Sequence, residues 1–386
     1  MSSENLDSFI NALEVNCSNL GIEDSLCKVV LQQIIKSYAR SSDGEICVSL
    51  TGRGRKSARI NDDLITALCR SWGMSKLVSI DLSYNSINMI GIEQLSEIIK
   101  EDKYLERLDL SFNDFDGDGV DSLIKSLHFN STLKHLNLSG CKLGLKGGLS
   151  VASMLQVNQS LKELLLSSCD INTDVVIALA TVLSFNQSIQ LLDISRPILF
   201  SRNSETTTHL GKMLNVNKTL KELRLSKHNL TDFDMLELCN LFKDNKSIVS
   251  LDFSCNKLAQ DGAKYLSQLL KFNTTIKYID LTANRIGDQG LIAISEVIRF
   301  YNSTLGTLMI GYNNIGDAGL CHFSVSLFRN DSIKSVSIWG NKLGIETCEA
   351  FSGLLESIPP RFPLDKTYID VVPYSVDGVI YLAELN

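Results

Sequence analysis

Proline is nearly absent from this sequence, five residues in 386. No uninterrupted apolar run approaches the ~18 residues a membrane-spanning helix needs. The first residues, MSSENLDSF, show neither a basic nor an apolar leader region, so no secretory signal is expected and the chain reads as intracellular. The ten cysteines form no CxxC pair and no paired spacing, which argues against a disulfide framework or a zinc ribbon. Histidine is limited to five residues, none in HExxH. GxSxG and GxxxxGK[ST] are also missing, so neither catalysis, a resident metal nor a cofactor is expected. His135 beside Glu163 could mimic an acid–base pair, but a polar sheet face supplies such neighbours by chance. An excess of positive charge is lacking too. The net charge is −7 and the pI near 5.4, which disfavours nucleic-acid binding by the body as a whole. Membrane and small-molecule partners are likewise not expected.

What is present is a repeat. Strand-start residues Leu77, Leu105, Leu133, Leu161, Ile189, Leu220, Ile248, Ile276, Leu305 and Ile333 recur about every 28 residues. Each opens the pattern L-x-x-L-x-L-x-x-N-x-L, a short strand followed by a helix of 3.6-residue period, as in GIEQLSEIIK and GLIAISEVIR. The N position holds Asn85, Asn113, Cys141, Cys169, Pro197, His228, Asn256, Asn284, Asn313 and Asn341. An amide there can bond backbone groups buried in the turn, and Cys can replace it as a weaker donor. Asp288 and Asp317 read as N-caps of their own helices. A second motif, N-x-[ST], recurs in phase from Asn130 to Asn330. Its register predicts a structural role, with Asn in the left-handed region after each helix, instead of glycosylation.

Two apolar-striped helices, about 4–16 and 23–39, precede the repeats and predict a cap. A short strand near Ile46–Leu50 opens the sheet. Arg53, Arg55, Lys56 and Arg59 form a basic cluster that reads first as a solvated loop before a helix capped by Asn61 or Asp62, and second as an anion patch. The fifth repeat is irregular, with Pro197 and three added residues. SIPPRFP ends the last repeat, and Tyr368–Val372 with Val379–Leu382 around Asp377–Gly378 predicts a hairpin that pairs with the final strand. The division expected is 1–44 cap, 45–357 solenoid and 358–386 capping hairpin.

The 28-residue unit and the LDLS-x-N-x-[IL] strands resemble the ribonuclease-inhibitor-like class of leucine-rich-repeat proteins, over roughly residues 45–357. That resemblance implies an α/β solenoid, a horseshoe with a concave parallel sheet and convex helices. It implies a non-enzymatic scaffold or adaptor binding a protein partner on the concave face, with cytoplasmic, nuclear or axonemal associations. The same class also includes the Ran GTPase-activating protein and actin regulators, so small-GTPase activation and actin regulation stand as alternatives. Side-chain alternation assigns three columns to the strand face. Asp81, Asp109, Asp193, Asp252 and Asp280 form an acidic stripe interrupted by Arg224 and Met309. Tyr278, Met309, Tyr312 and Trp339 add apolar anchors toward the C-terminal rungs. These ten residues are the candidate contacts for a basic or mixed-polar protein. Ser83, Ser111 and their equivalents are read as a further outward column.

Overall fold

The computed structural model describes residues 3–38, 46–54, 59–72, 76–199, 203–357 and 369–385. Arg55 and Lys56 of the basic cluster lie outside these residues, as do the centre of the irregular fifth repeat, most of SIPPRFP, and Tyr368. The chain forms two compact units, Met1–Phe200 and Ser201–Asn386, and the division falls in that irregular repeat.

In the first unit, helices α1 (Ser3–Asn19) and α2 (Asp24–Tyr38) lead into β1 (Ile46–Ser49) and α3 (Asp62–Trp72). Regular β–α units follow: β2 (Leu77–Asp81) and α4 (Met89–Glu101), β3 (Arg107–Asp109) and α5 (Gly117–Leu127), then β4 (His135–Asn137) and α6 (Gly144–Leu155). The unit continues through β5 (Glu163–Leu165) and α7 (Thr173–Leu183) to β6 (Leu191–Asp193). The second unit begins with α8 (Asn203–Val216). It repeats the pattern in β7 (Glu222–Arg224), α9 (Asp232–Phe242), β8 (Ser250–Asp252), α10 (Gln260–Phe272), β9 (Tyr278–Asp280) and α11 (Gly287–Phe300). It ends with β10 (Thr307–Met309), α12 (Asp317–Arg329), β11 (Ser335–Ser337), α13 (Ile345–Ser357) and the hairpin β12 (Val371–Val376) and β13 (Val379–Glu384).

Within each unit the strands pair parallel and in chain order. Their register aligns equivalent repeat positions, so that Ile80, Leu108, Leu136, Leu164 and Leu192 form one buried row and Leu223, Leu251, Ile279, Leu308 and Val336 another. Each row closes against the apolar faces of the helices. A repeat alone could not bury that face, and stacking supplies the missing partner. Each unit is a stretch of leucine-rich-repeat solenoid with a parallel sheet.

Two polar ladders connect the rungs. Asn313 is fully buried, and its amide donates to the carbonyls of Leu281, Ile310 and Gly311 at 2.8, 3.1 and 3.0 Å while accepting from Ile286 N–H at 3.3 Å. Asn85, Asn113, Asn256 and Asn284 do the same in their own repeats. Cys141 and Cys169 donate Sγ–H to Leu110 and Leu138 carbonyls at 3.3 and 3.1 Å, as a weak donor at that position should. Burial pushes the Cys141 thiol up to about 12.

The N-x-[ST] asparagines form the second ladder. All eight are at most 6% exposed. Asn158 donates to Leu127 and Asn130 carbonyls at 2.8 and 3.1 Å, and accepts from Ser160 and Leu161 N–H. The structural role is therefore right and its reason differs. Asn273 and Asn330 are extended, with φ of −80° and −102°, and none of the eight has positive φ among the described residues. Their side chains, not a left-handed backbone, close the turn.

Left-handed residues sit elsewhere, most of them immediately before the rung position. Tyr84, Phe112, Ser168, Arg196, Lys227, Cys255, Ala283 and Tyr312 have φ near 57°, and Gly140 and Gly340 occupy the same column. At Gly340 a Cβ would lie 2.3 Å from the Tyr312 ring, so that rung accepts no larger residue without movement.

Asp288 and Asp317 do not cap their own helices. Asp288 accepts from Gly316 and Gly319 N–H at the start of α12, and Asp317 from Gly344 and Thr347 N–H at the start of α13. Each carboxylate thus satisfies the free amides of the following repeat's helix. Asn61 caps α3 through Leu64 N–H, as expected. The C-terminal hairpin forms a separate two-stranded sheet packed on α13 and does not extend the main sheet. The edge of β11 is met instead by the segment before it. Ile369 bridges Val336, and Asp370 accepts from Ser337 Oγ, Ile338 N–H and Trp339 N–H.

Candidate functional site: the strand face

The register places the expected columns side by side. Asp81, Asp109, Asn137, Leu165 and Asp193 form one row in the first unit, and Arg224, Asp252, Asp280, Met309 and Ser337 its equivalent in the second. Most are half-buried. Asp193 is an exception, only 7% exposed, and offers little surface to a partner. Its oxygen accepts from Ser195 N–H.

Every acidic residue of the row has a local task. Asp81, Asp109, Asp252 and Asp280 accept the N–H two residues on, from Ser83, Ser111, Ser254 and Thr282, at 2.8–2.9 Å. The bond turns the chain at the strand end. The same geometry draws four residues of the serine column inward. Ser83, Ser111, Ser139 and Ser195 are buried in that turn, and Ser83 Oγ donates to Thr51 Oγ1 while Ser254 Oγ donates to Ser226 Oγ. A period-two count continued past the strand end assigns these residues to the wrong environment.

The second carboxylate oxygens face the row. Asp109 Oδ2 accepts from Asn137 Nδ2 at 2.8 Å, and Asp81 Oδ2 from Ser49 Oγ at 3.1 Å. Among the described residues, no Lys or Arg side chain lies within 4.0 Å of the carboxylates of Asp81, Asp109, Asp252 or Asp280. Burial and the neighbouring Asp252 raise the Asp280 carboxyl above its ordinary range, against the hydrogen bonds from Thr282. Burial, with Asp280 and Asp252 beside it, pushes the Tyr278 phenol up to about 12. Arg224, in the same row, holds Glu222 through Nε and a terminal nitrogen at 2.7 and 2.6 Å. His135 Nδ1 lies 2.6 Å from Glu163 Oε2 one row away.

The four C-terminal anchors occupy different columns of the repeat. Tyr278 and Met309 occupy different rows, two positions apart along the strands. Trp339 is half-buried beyond the end of β11, with its N–H on Asp370. Tyr312 is in the left-handed column, 56% exposed, against Gly340. An equivalent pair in the first unit was not anticipated: Tyr84 and Phe112 stack at 4.4 Å, with Arg53 5.6 Å over Tyr84. The signal for it was the repeat column itself, in which Gly140 and Gly340 mark the conformation.

Among the described residues no group of three or more His, Cys, Asp or Glu is arranged to hold a metal ion, and no helix is long and apolar enough to cross a membrane. Parallel strands, convex helices and asparagine ladders at 28-residue intervals define a leucine-rich-repeat protein. The family model described as Leucine Rich repeat matches residues 101–123, 129–152, 157–180, 216–239, 244–267, 272–295 and 301–320, and the chain belongs to that family.

Within it, the chain is similar to leucine-rich repeat-containing protein 34. It is 42% identical to the Mus musculus protein over 195 residues, 50% of this chain and 46% of that one. It is 46% identical to the Homo sapiens protein over 197 residues, 50% of this chain and 41% of that one. The matched region thus spans a little under half the length of these curated relatives. A solved structure, Leiomodin-1 Actin-Binding Site 2, aligns at 22% identity and a TM-score of 0.30, over 33% of this chain and 73% of that chain.

Proposed function

We propose that the chain is a non-enzymatic interaction scaffold whose strand faces receive a basic or mixed-polar protein segment. One comparison carries the reading. Asn137 occupies the same row as the acidic residues, and its Oδ1 accepts Ser139 N–H at 3.0 Å without any charge. Closing the turn therefore needs an acceptor oxygen, not a carboxylate. Leu165 and Met309 show that the row tolerates apolar residues as well. Negative charge at Asp81, Asp109, Asp252 and Asp280 is thus surplus to folding. At Asp280 burial opposes it. A group that the fold does not require, held half-buried without a cationic partner among the described residues, is suited to receive Lys or Arg from outside.

The test is capture of partners from native extract by the wild-type chain and by a variant with Asp81, Asp109, Asp252 and Asp280 changed to Asn, which keeps each acceptor oxygen and removes the charge. Loss of the wild-type set supports the reading. Retention of the same partners at equal yield would make the acidic row only a turn-closing consensus.

A further inference from the structure

The opposite end of the strands in the second unit carries a feature that the net charge averages away. Segments 215–221, 243–249, 271–277, 299–306 and 328–334 link each helix to its next strand. Together they hold nine Lys and Arg and two acidic residues, in a chain with an acidic excess. In the first unit, the equivalent segments 128–134, 156–162 and 184–190 hold two Lys, and 100–106 sets two Lys against three acidic residues. The asparagine ladder sets the five segments side by side, with Asn245, Asn273, Asn302 and Asn330 each donating to the preceding Asn carbonyl at 2.8–3.4 Å. At ~4.8 Å per rung the row is about 20 Å long.

Large rings stand out from the same row. Phe272, Phe300, Tyr301 and Phe328 are 74%, 64%, 58% and 54% exposed. Complementing the helix dipole accounts for a cation at a helix C-terminus, but not for an exposed ring beside it. Lys271 Nζ lies 4.2 Å from the Tyr301 ring centre and 5.8 Å from that of Phe272, and Arg299 Cζ lies 4.8 Å over Phe300. Among the described residues, the Lys and Arg of these segments make no ion pair with a carboxylate, and Arg299 Nε is buried without a hydrogen-bond partner.

We propose that this edge binds single-stranded nucleic acid, with phosphates along the cation row and bases stacked on the exposed rings. A linear row of uncompensated cations calls for a linear polyanion. An acidic peptide would use the cations and leave the rings idle. Bases are flat, stack on any aromatic face, and are sequence-tolerant in doing so.

The test is fluorescence anisotropy of a labelled oligouridylate about a dozen nucleotides long with the whole chain. The edge predicts binding that weakens steeply between about 50 and 200 mM salt. Phe272→Ala with Tyr301→Ala should weaken it about tenfold or more. Lys243→Glu, Lys246→Glu and Lys271→Glu together should abolish it, whereas Lys134→Glu with Lys162→Glu should leave it unchanged. All these side chains are on the surface, so urea midpoints should match wild type. No binding at low salt overturns the proposal. So does binding indifferent to the ring substitutions, whether polyglutamate competes equally or vesicles of phosphatidylcholine and phosphatidylserine are the better ligand.

Discussion

Replacing Asn313 by Ala tests how much of the solenoid is held by buried polar ladders. The side chain is fully buried and makes four bonds, three to carbonyls and one from the Ile286 amide. Alanine leaves those groups facing a space the size of the lost amide. A buried polar group without its partner costs about 1–3 kcal/mol, and some of the loss is recovered by relaxation, so we expect about 3–5 kcal/mol in all. Cysteine at the same place should recover about 1 kcal/mol. The chain already uses that substitute at Cys141, whose thiol reaches the Leu110 carbonyl. The assay is urea unfolding followed by far-UV circular dichroism, with Thr274→Ala, at an exposed position, as the control. The order wild type, Asn313→Cys, Asn313→Ala should appear in the midpoints. An Asn313→Ala midpoint equal to that of Thr274→Ala would refute the ladder's energetic role.

Two further outcomes follow from other positions. Asp280 has its folded-state pKa raised, chiefly by burial. Between the ordinary value of 3.8 and that raised value the folded chain holds the extra proton, so stability falls as pH rises through the window. Asp280→Asn keeps the acceptor oxygen and loses this dependence; it should equal or exceed wild type in unfolding free energy at neutral pH, with the gap closing in acid. Asp370→Ala removes the acceptor for Ser337, Ile338 and Trp339. Since hydrogen bonds to a charged group contribute about 1.5–3 kcal/mol each, hydrogen exchange at β11 should accelerate by at least tenfold, with the first unit unchanged.

The repeat was legible because its period, its three apolar positions and its rung asparagines are fixed by packing that recurs in every unit. Asn284 and Asn313 could be assigned to the turn from spacing alone. Other features depend on the neighbouring repeat and do not appear within one. Asp288 looks like a cap for its own helix, yet it caps the next, because stacking brings Gly316 to it. The serine column reads outward by alternation, but the chain has left the strand by then, and Ser83, Ser111, Ser139 and Ser195 turn inward. The hairpin was visible in Asp377–Gly378; its failure to join the sheet was not, since Asp370 and Ile369 reach β11 first. Of the candidate site, the row of Asp residues was legible and the burial of Asp193 was not. The basic, aromatic edge was overlooked because N-x-[ST] drew the segment's reading toward its buried residues.

The central claim is that the strand faces take the partner. Carboxyl labelling of the chain with and without a captured partner, read by mass spectrometry, tests it most directly. Asp81 and Asp109 in the first unit, or Asp252 and Asp280 in the second, should lose reactivity on binding, while Glu93 and Glu97 of α4 and Asp261 of α10 keep theirs. Protection of the helix carboxylates with the strand-face residues still reactive would contradict the account.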